Sequence, residues 1–203
     1  IYMTLVSTAL GYVIGLPLGV TLAVTGKGGI RENKVVYRIL DVISNVIRSI
    51  PFLILLILII PLTRFLVGKS YGSSATIVPL VIAAAPFIAR MVESSLQEVD
   101  EGVIEAAKSM GAGTWTIIFR VLLVEARTSL IVGVTIALGT ILGYSAMAGV
   151  VGGGGLGDIA IRYGYYRYQT DIMVVTIVIL VLIVQVLQAL GMMLSKKLDR
   201  RNK

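Results

Sequence analysis

The chain has 203 residues, of which 57% are hydrophobic and 14% charged, whereas soluble domains average about 45–50% apolar and about 25% charged residues. Cysteine and histidine are absent, which excludes disulfide frameworks, thiolate zinc sites, Ser-His triads and HExxH metal sites. The net charge is +7, which in a membrane chain concerns orientation more than nucleic-acid binding. The composition therefore predicts a membrane protein with the lipid bilayer around it.

Five segments are apolar enough to cross a bilayer, which takes roughly 20 helical residues at 1.5 Å each. Alternation with a period of two residues is missing, so we expect helices and not a β-barrel. The predicted spans are residues 2–25, 39–62, 76–92, 128–151 and 172–194. They predict an all-α polytopic protein in which residues 1–203 form a single transmembrane domain.

The segments that connect these spans alternate in positive charge. Thirteen lysines and arginines lie in the first loop, the third loop and the tail, against four in the second and fourth loops. The positive-inside rule therefore predicts an outside N-terminus and a cytoplasmic C-terminus. Arg48 is the one charge left well inside a span, where either snorkelling or a role in a pathway would explain it.

Glycines mark several places in the chain. Gly11, Gly15 and Gly19 recur every fourth residue, which predicts close helix packing within the bundle, with a dimer seam as the alternative. The glycine run 152–155 at the end of the fourth span indicates either an extracellular gate or re-entrant turn, or a plain flexible loop.

Two other glycine motifs fail as nucleotide sites. Gly68-Lys69-Ser70 resembles the end of a phosphate-binding loop, but Thr63 stands where the first glycine is required. Gly152, Gly154 and Gly157 have dinucleotide-fingerprint spacing, yet no strand precedes them. We therefore expect no nucleotide cofactor and no ATP hydrolysis by this chain.

The loop at residues 93–127 is helical in character. Asp100 and Glu101 favour a helix start, Gly111 and Gly113 a helix stop, and Thr114 a cap for a second helix over residues 115–126. This pair is either an amphipathic surface helix or a docking helix, in which Ala106 and Ala107 form a small face and Glu105 a polar handle.

Glu105-Ala106-Ala107, followed after three residues by Gly111, resembles the EAA loop of bacterial ABC importer permeases. The family pattern continues as Ile-x-Leu-Pro, but Val124 stands in place of the proline here. The segments 48–52, 85–93 and 143–147 further resemble the permeases of methionine importers. The resemblance covers nearly the whole chain.

The resemblance implies an assembly in a bacterial inner membrane. It implies two copies of this chain, two copies of a cytoplasmic ABC ATPase subunit, and an extracytoplasmic methionine-binding protein. The chain itself would form the passage for methionine without being an enzyme and without a cofactor or metal. Glu105, Ala106, Ala107 and Gly111 would then couple the passage to the ATPase.

The fourth span offers three candidates for the passage near its outer end. Tyr144 and Met147 suit a thioether side chain, because sulfur and aromatic rings attract each other, although core packing is the alternative. Ser145 would bond either a carboxylate or its own helix backbone.

Other functions fit less well. The cargo could be another amino acid or a small peptide, since related importers share the pattern. An ion-coupled secondary transporter usually carries an acid or histidine deep in a span, and these spans carry neither near the middle. An intramembrane hydrolase would need a Ser-Lys pair or two intramembrane aspartates, which the predicted spans also lack.

Overall fold

The computed structural model describes residues 1–198, the side chain of Leu198 excepted. Within that range the chain is all-α, as predicted, and contains no strand. In chain order the elements are α1 (Tyr2–Thr25), α2 (Lys34–Ser49), α3 (Phe52–Leu58), α4 (Ile60–Val67), α5 (Ser73–Gln97), α6 (Glu101–Ser109), α7 (Thr114–Thr116), a first π segment (Ile117–Leu122), α8 (Leu123–Glu125), α9 (Arg127–Met147), a 3₁₀ turn (Ala148–Val151), α10 (Gly155–Ile159), a second π segment (Ala160–Tyr165) and α11 (Thr170–Leu198).

Four of the described helices, α1, α5, α9 and α11, are each long and apolar enough to cross a membrane. The first, fourth and fifth predicted spans are confirmed close to their predicted bounds by α1, α9 and α11. The second crossing takes a bent path through α2, α3 and α4.

The prediction of one helix over residues 39–62 is wrong. Pro51 has no N–H and disfavours helical geometry at Ile50, which is extended at φ −82° and ψ 123°. The chain consequently turns by 100° between α2 and α3. A second break follows at Ile59, and Pro61 then lies in the first turn of α4, where a missing N–H costs nothing.

The placement of Arg48 inside a straight span is corrected by the same bend. Arg48 lies in the last turn of α2 and its side chain is exposed on the surface of the single chain. It therefore stands at a corner of the second crossing and not along a span axis.

The third predicted span, residues 76–92, is shorter than the helix that forms. The helix α5 continues past Arg90 and Glu93 to Gln97, because these charges find partners. Arg90 donates to Glu93 at 2.6 Å, to Asn45 at 3.2 Å and to the Asp41 carboxylate on α2. Glu93 is only 3% exposed, so this network ties the amphipathic α2 to the buried side of α5.

The glycine stripe packs α1 directly against α5, which confirms the interpretation as bundle packing. A Cβ added to Gly15 would stand 2.7 Å from the Ala85 carbonyl oxygen, and one added to Gly19 would stand 2.5 Å from that of Ala89. Only glycine permits so close an approach of two backbones. The contacts advance together along both helices, so α1 and α5 run parallel.

The other long helices alternate in direction. Ser129 near the start of α9 donates to Ser95 near the end of α5 at 3.1 Å, so these helices are antiparallel. Ser195 of α11 donates to the Thr128 carbonyl of α9 at 3.4 Å, which returns α11 to the direction of α1. The two ends of the described chain thus lie at opposite ends of the bundle. Three of the basic tail residues used in the charge tally lie among residues 199–203, outside the described range.

The glycine run forms a tight turn and not an open loop. Gly152, Gly154 and Gly155 all have positive φ, between 74° and 83°, which favours glycine. The turn folds α10 back onto the end of α9, where a Cβ on Gly157 would collide with the backbone of Ala146.

Candidate functional site

The helix α6 forms at the EAA-like segment with both ends defined by its sequence. The Asp100 carboxylate caps it by accepting the Gly102 N–H at 2.7 Å. At the other end Gly111 has φ +79°, and its N–H donates to the Lys108 carbonyl at 2.9 Å. The Ala112 N–H donates to the Ala107 carbonyl at 3.0 Å, which completes a Schellman motif.

The predicted coupling residues divide between two faces of α6. Glu105, Ala106 and Gly111 are exposed, whereas Ala107 is buried. Ala107 belongs to the same buried cluster as Ile117 of the first π segment. The expectation that both alanines present one outward face is therefore corrected, because Ala107 anchors the helix and Ala106 with Glu105 faces out.

The second helix of the loop starts differently from the prediction. Gly113 occupies the N-cap position, and Thr114 is the first helical residue. No side chain makes a capping hydrogen bond at this helix start. The helix then continues through the first π segment into α8. Val124 stands where the family has proline and, unlike proline, has a backbone N–H. Only one residue, Ala126, separates α8 from α9. The loop thus leads almost without interruption into a membrane span.

An exposed aromatic pair lies on this loop and was not singled out in the sequence. Trp115 and Phe119 stack with ring centroids 5.9 Å apart, although both side chains are exposed. Met110, beside the Schellman turn, is 81% exposed. Their position in the sequence was the feature that could have revealed this exposed surface. Large apolar residues between two predicted spans have no core of their own to fill.

The three predicted pathway residues do not meet at one point. The Tyr144 ring stacks on Phe52 of α3 with centroids 4.6 Å apart and planes 6° from parallel. Ser145 is buried, and its hydroxyl donates to the Leu142 carbonyl of its own helix at 2.8 Å. The hydroxyl oxygens of Ser145 and Thr4 of α1 also form a hydrogen bond at 3.4 Å. Met147 is half exposed. Tyr144 and Met147 thus stay accessible from outside the bundle, whereas the Ser145 hydroxyl is engaged within it.

This arrangement joins the capped helix α6 at one end of the molecule to a membrane helix that carries an aromatic and a thioether near its other end. A Leu130 N–H to Ala126 carbonyl bond of 2.8 Å starts the regular hydrogen bonding of that membrane helix directly after the loop. Motion of α6 would therefore act on the end of α9 itself. The geometry suits a protein that converts a displacement at one end of the bundle into a rearrangement of its spans.

Residues 15–203 match the family described as binding-protein-dependent transport system inner membrane component. The chain is 50% identical to a probable D-methionine transport system permease protein of Vibrio cholerae over 201 residues, which cover 99% of this chain and 89% of that protein. It is 46% identical to the methionine import system permease protein of Bacillus subtilis over 180 residues, 89% of this chain and 81% of that protein.

The fold is also similar to solved structures. An inward-facing conformation of the MetNI methionine ABC transporter matches with a TM-score of 0.97 and 49% identity, covering 98% of this chain and 92% of that one. An amino acid ABC transporter crystallised with histidines matches with a TM-score of 0.75 at 22% identity, which shows the shared fold alone. The chain therefore belongs to the family of binding-protein-dependent transport system inner membrane components.

Proposed function

We propose that this chain is the permease subunit of an ATP-driven importer whose cargo is methionine. The observation that carries the proposal is similarity along nearly the whole chain to permeases named for methionine transport and to a solved methionine transporter. The local geometry supports it, because the segment that resembles an EAA loop folds into a capped helix with an exposed face.

The proposed partners are supported by the likeness to a solved ABC transporter and by the surface that the chain displays. ATP is hydrolysed by a cytoplasmic ABC ATPase, of which two copies serve two copies of this chain. The exposed side of α6, with Glu105 and Ala106, docks each ATPase. The exposed Trp115–Phe119 pair extends that docking surface. A methionine-binding protein delivers cargo on the opposite side.

The coupling mechanism rests on how α6 is anchored. It follows α5 after three residues, and Ala107 joins the buried cluster of the first π segment. A push on α6 therefore reaches α5 and, through α8, α9. Alternating access results when these helices rock and open the bundle at the other side. Tyr144 and Met147 near the outer end of α9 line the passage between the two copies.

In the proposed orientation α6 lies in the cytoplasm. The positive charge tally supports it, with the first and third loops and the tail inside. Since the two ends of the described chain lie at opposite ends of the bundle, the N-terminus faces outward when the tail faces the cytoplasm.

Reconstituted vesicles test the function. The purified permease–ATPase complex, with ATP enclosed beside the ATPase and the binding protein on the other face, should accumulate labelled methionine only when ATP is present. Uptake driven by an ion gradient without ATP would contradict the proposal and favour a secondary transporter. Displacement of labelled methionine by another amino acid or a small peptide at lower concentration would reassign the cargo.

Two glycine variants test the coupling role of α6. Gly111→Val places a β-branched side chain at φ +79°, which costs roughly 1–2 kcal/mol locally and distorts the Schellman turn. Gly113→Val is the matched control, since Gly113 is extended and an added Cβ meets no atom within 4 Å. ATPase co-purification and ATP-driven uptake should fall together in the first variant only. Equal behaviour of the two variants would reduce α6 to a surface helix.

A further inference from the structure

A cavity of about 170 Å³ lies where the second crossing bends. It is bounded by the last turn of α2, the bend itself, the start of α3, the middle of α5 and the outer part of α9. Its lining comprises Ile47, Arg48, Ile50, Phe52, Leu55, Ala83, Phe87 and Tyr144. One cationic side chain and three aromatic rings thus line a space that they share with aliphatic residues and backbone.

The depth of this cavity follows from α5. Ala83 and Phe87 lie about 15 and 21 Å along that helix from its start at Ser73, at 1.5 Å per residue, in a helix about 37 Å long. The bend at Ile50 and Pro51 therefore stands near the middle of the bundle. Non-helical backbone at such depth is tolerated only where it is buried in protein or lines a polar cavity.

Arg48 brings a charge to this depth without an ion-pair partner among the described residues 1–198. The ion pairs among residues 1–198 join Arg90 to Asp41 and Glu93, and Arg162 to Asp158, so none of them involves Arg48. Asp41, two helical turns before Arg48 on α2, is already held by Arg90. An arginine at this depth without an ion pair in the described part of the chain is a candidate for binding a ligand of opposite charge.

The opposite wall suits an apolar side chain. Phe52 and Tyr144 present a flat stacked pair, and Phe87 adds a third ring. Aromatic rings attract a thioether sulfur. The end of α2 also offers carbonyl oxygens, since Pro51 cannot donate to the Ile47 carbonyl, which instead receives a long 3.3 Å bond from the Ile50 N–H.

We infer that this cavity is a binding site for the transported amino acid within the membrane. The Arg48 guanidinium pairs with the α-carboxylate, the carbonyl end of α2 faces the α-ammonium, and the aromatic wall receives the apolar side chain. This inference rests on the proposed function and adds to it a site of stated chemistry. A lipid phosphate competes poorly for the same charge, because headgroups lie at the bilayer surface and not at mid-depth.

Photolabelling tests the site. The probe is a diazirine analogue of methionine, added to the permease–ATPase complex in lipid nanodiscs, with labelled peptides mapped by mass spectrometry. Label should enter the peptides that contain Phe52, Phe87 or Tyr144. Unlabelled methionine should displace it, and methionine amide, which lacks the carboxylate, should do so about 10- to 100-fold less well, as expected for a lost charge-assisted hydrogen bond.

Variants of the cation sharpen the test. Arg48→Gln should weaken labelling about 10- to 100-fold and abolish the discrimination between methionine and its amide. Arg48→Lys should retain part of the labelling and part of the discrimination, because it keeps the charge but loses the bidentate geometry. Arg64→Gln is the control, since Arg64 is exposed at the end of α4 and outside the cavity. Each variant must co-purify with the ATPase as the wild type does.

The outcomes separate this inference from the proposed function. ATP-driven methionine uptake with labelling at peptides other than these three would overturn the site and leave the function standing. Unchanged labelling in Arg48→Gln, together with a loss of bound anionic lipid in native mass spectrometry, would make Arg48 a lipid contact and equally overturn it. Absence of ATP-driven methionine uptake by the wild-type complex would overturn the function itself.

Discussion

The close approach of α1 and α5 makes a sharp prediction about two glycine substitutions. In Gly19→Ala the new methyl would stand 2.5 Å from the Ala89 carbonyl oxygen and 2.6 Å from the Val92 Cβ. Favourable carbon contacts need about 3.5–4.0 Å, so the helices must separate by roughly 1 Å. The atoms in the way are backbone and a branched Cβ, which cannot rotate aside.

Two opposing effects determine how Gly19→Ala changes the free energy of unfolding. Overpacking of this kind costs typically 1–3 kcal/mol, and the rigid obstacle places it at the upper end. Replacing a helical glycine by alanine gains about 0.5–1 kcal/mol. The net loss of unfolding free energy should be about 2 kcal/mol.

Gly133→Ala provides the matched control. Gly133 is also a buried glycine within a membrane helix, but a Cβ there meets nothing closer than 3.7 Å. This variant should keep the gain of about 0.5–1 kcal/mol without the clash, and so be as stable as wild type or more so. The two variants should therefore differ by about 2–3 kcal/mol.

Unfolding in mixed micelles of mild detergent and sodium dodecyl sulfate, followed by circular dichroism, measures this difference. Both variants replace a helical glycine by alanine, so the change in intrinsic helix propensity cancels in the difference between their free energies of unfolding. If Gly19→Ala unfolds at the same detergent fraction as Gly133→Ala, the helices yield freely, and the reasoning that the glycine stripe fixes their distance is refuted.

Three further predictions concern charge, orientation and cargo. Arg90→Met should destabilise the fold by about 3–5 kcal/mol because it strands the buried Glu93 carboxylate, whereas Arg162→Met, which breaks an exposed pair, should cost under about 1 kcal/mol in the same unfolding assay. With no native cysteine, Glu32→Cys should resist and Lys69→Cys should accept a membrane-impermeant thiol reagent in intact cells, and the reverse pattern would invert the topology. Met147→Ala should lower the free energy of methionine binding to the complex more than it lowers the free energy of unfolding. A loss of stability without a loss of binding would assign Met147 to packing.

Hydropathy was sufficient to predict that helices form, because apolar length alone decides whether a segment can cross lipid. Capping and stop residues likewise located the ends of α6, since Asp100 and Gly111 act through bonds to their near neighbours. These features are local in sequence. They need no knowledge of what the helix packs against.

The path of the second crossing and the full length of the third helix were missed for reasons that are not local. Pro51 was visible, but a hydropathy profile carries no direction and so does not distinguish a straight helix from one that turns by 100°. The length of α5 depends on Asp41, which lies 49 residues before Arg90 and meets it only in the folded chain. Charges end a predicted span unless their partners are known.

The site residues show the same division. Their helices were predicted, but the direction of each side chain around its helix axis was not. Ala107 and Ser145 turn inward, where one anchors α6 and the other bonds its own backbone, whereas Glu105 and Met147 turn outward. Rotation about the axis is set by which neighbours pack on each side, and a single uncharged span such as α9 holds too little amphipathic contrast to reveal it.

The helix α9 connects the two proposed activities physically. Its N-terminal end continues from the loop that carries α6, and its last turns carry Tyr144, whose ring closes one wall of the cavity against Phe52. A helix of 21 residues is about 31 Å long, so a small tilt at its N-terminal end displaces its C-terminal end by several ångströms. Such a displacement would slide or part the stacked rings. The bend at Pro51 then has a function, because it holds Phe52 and Arg48 on a separate short element that α9 can move past.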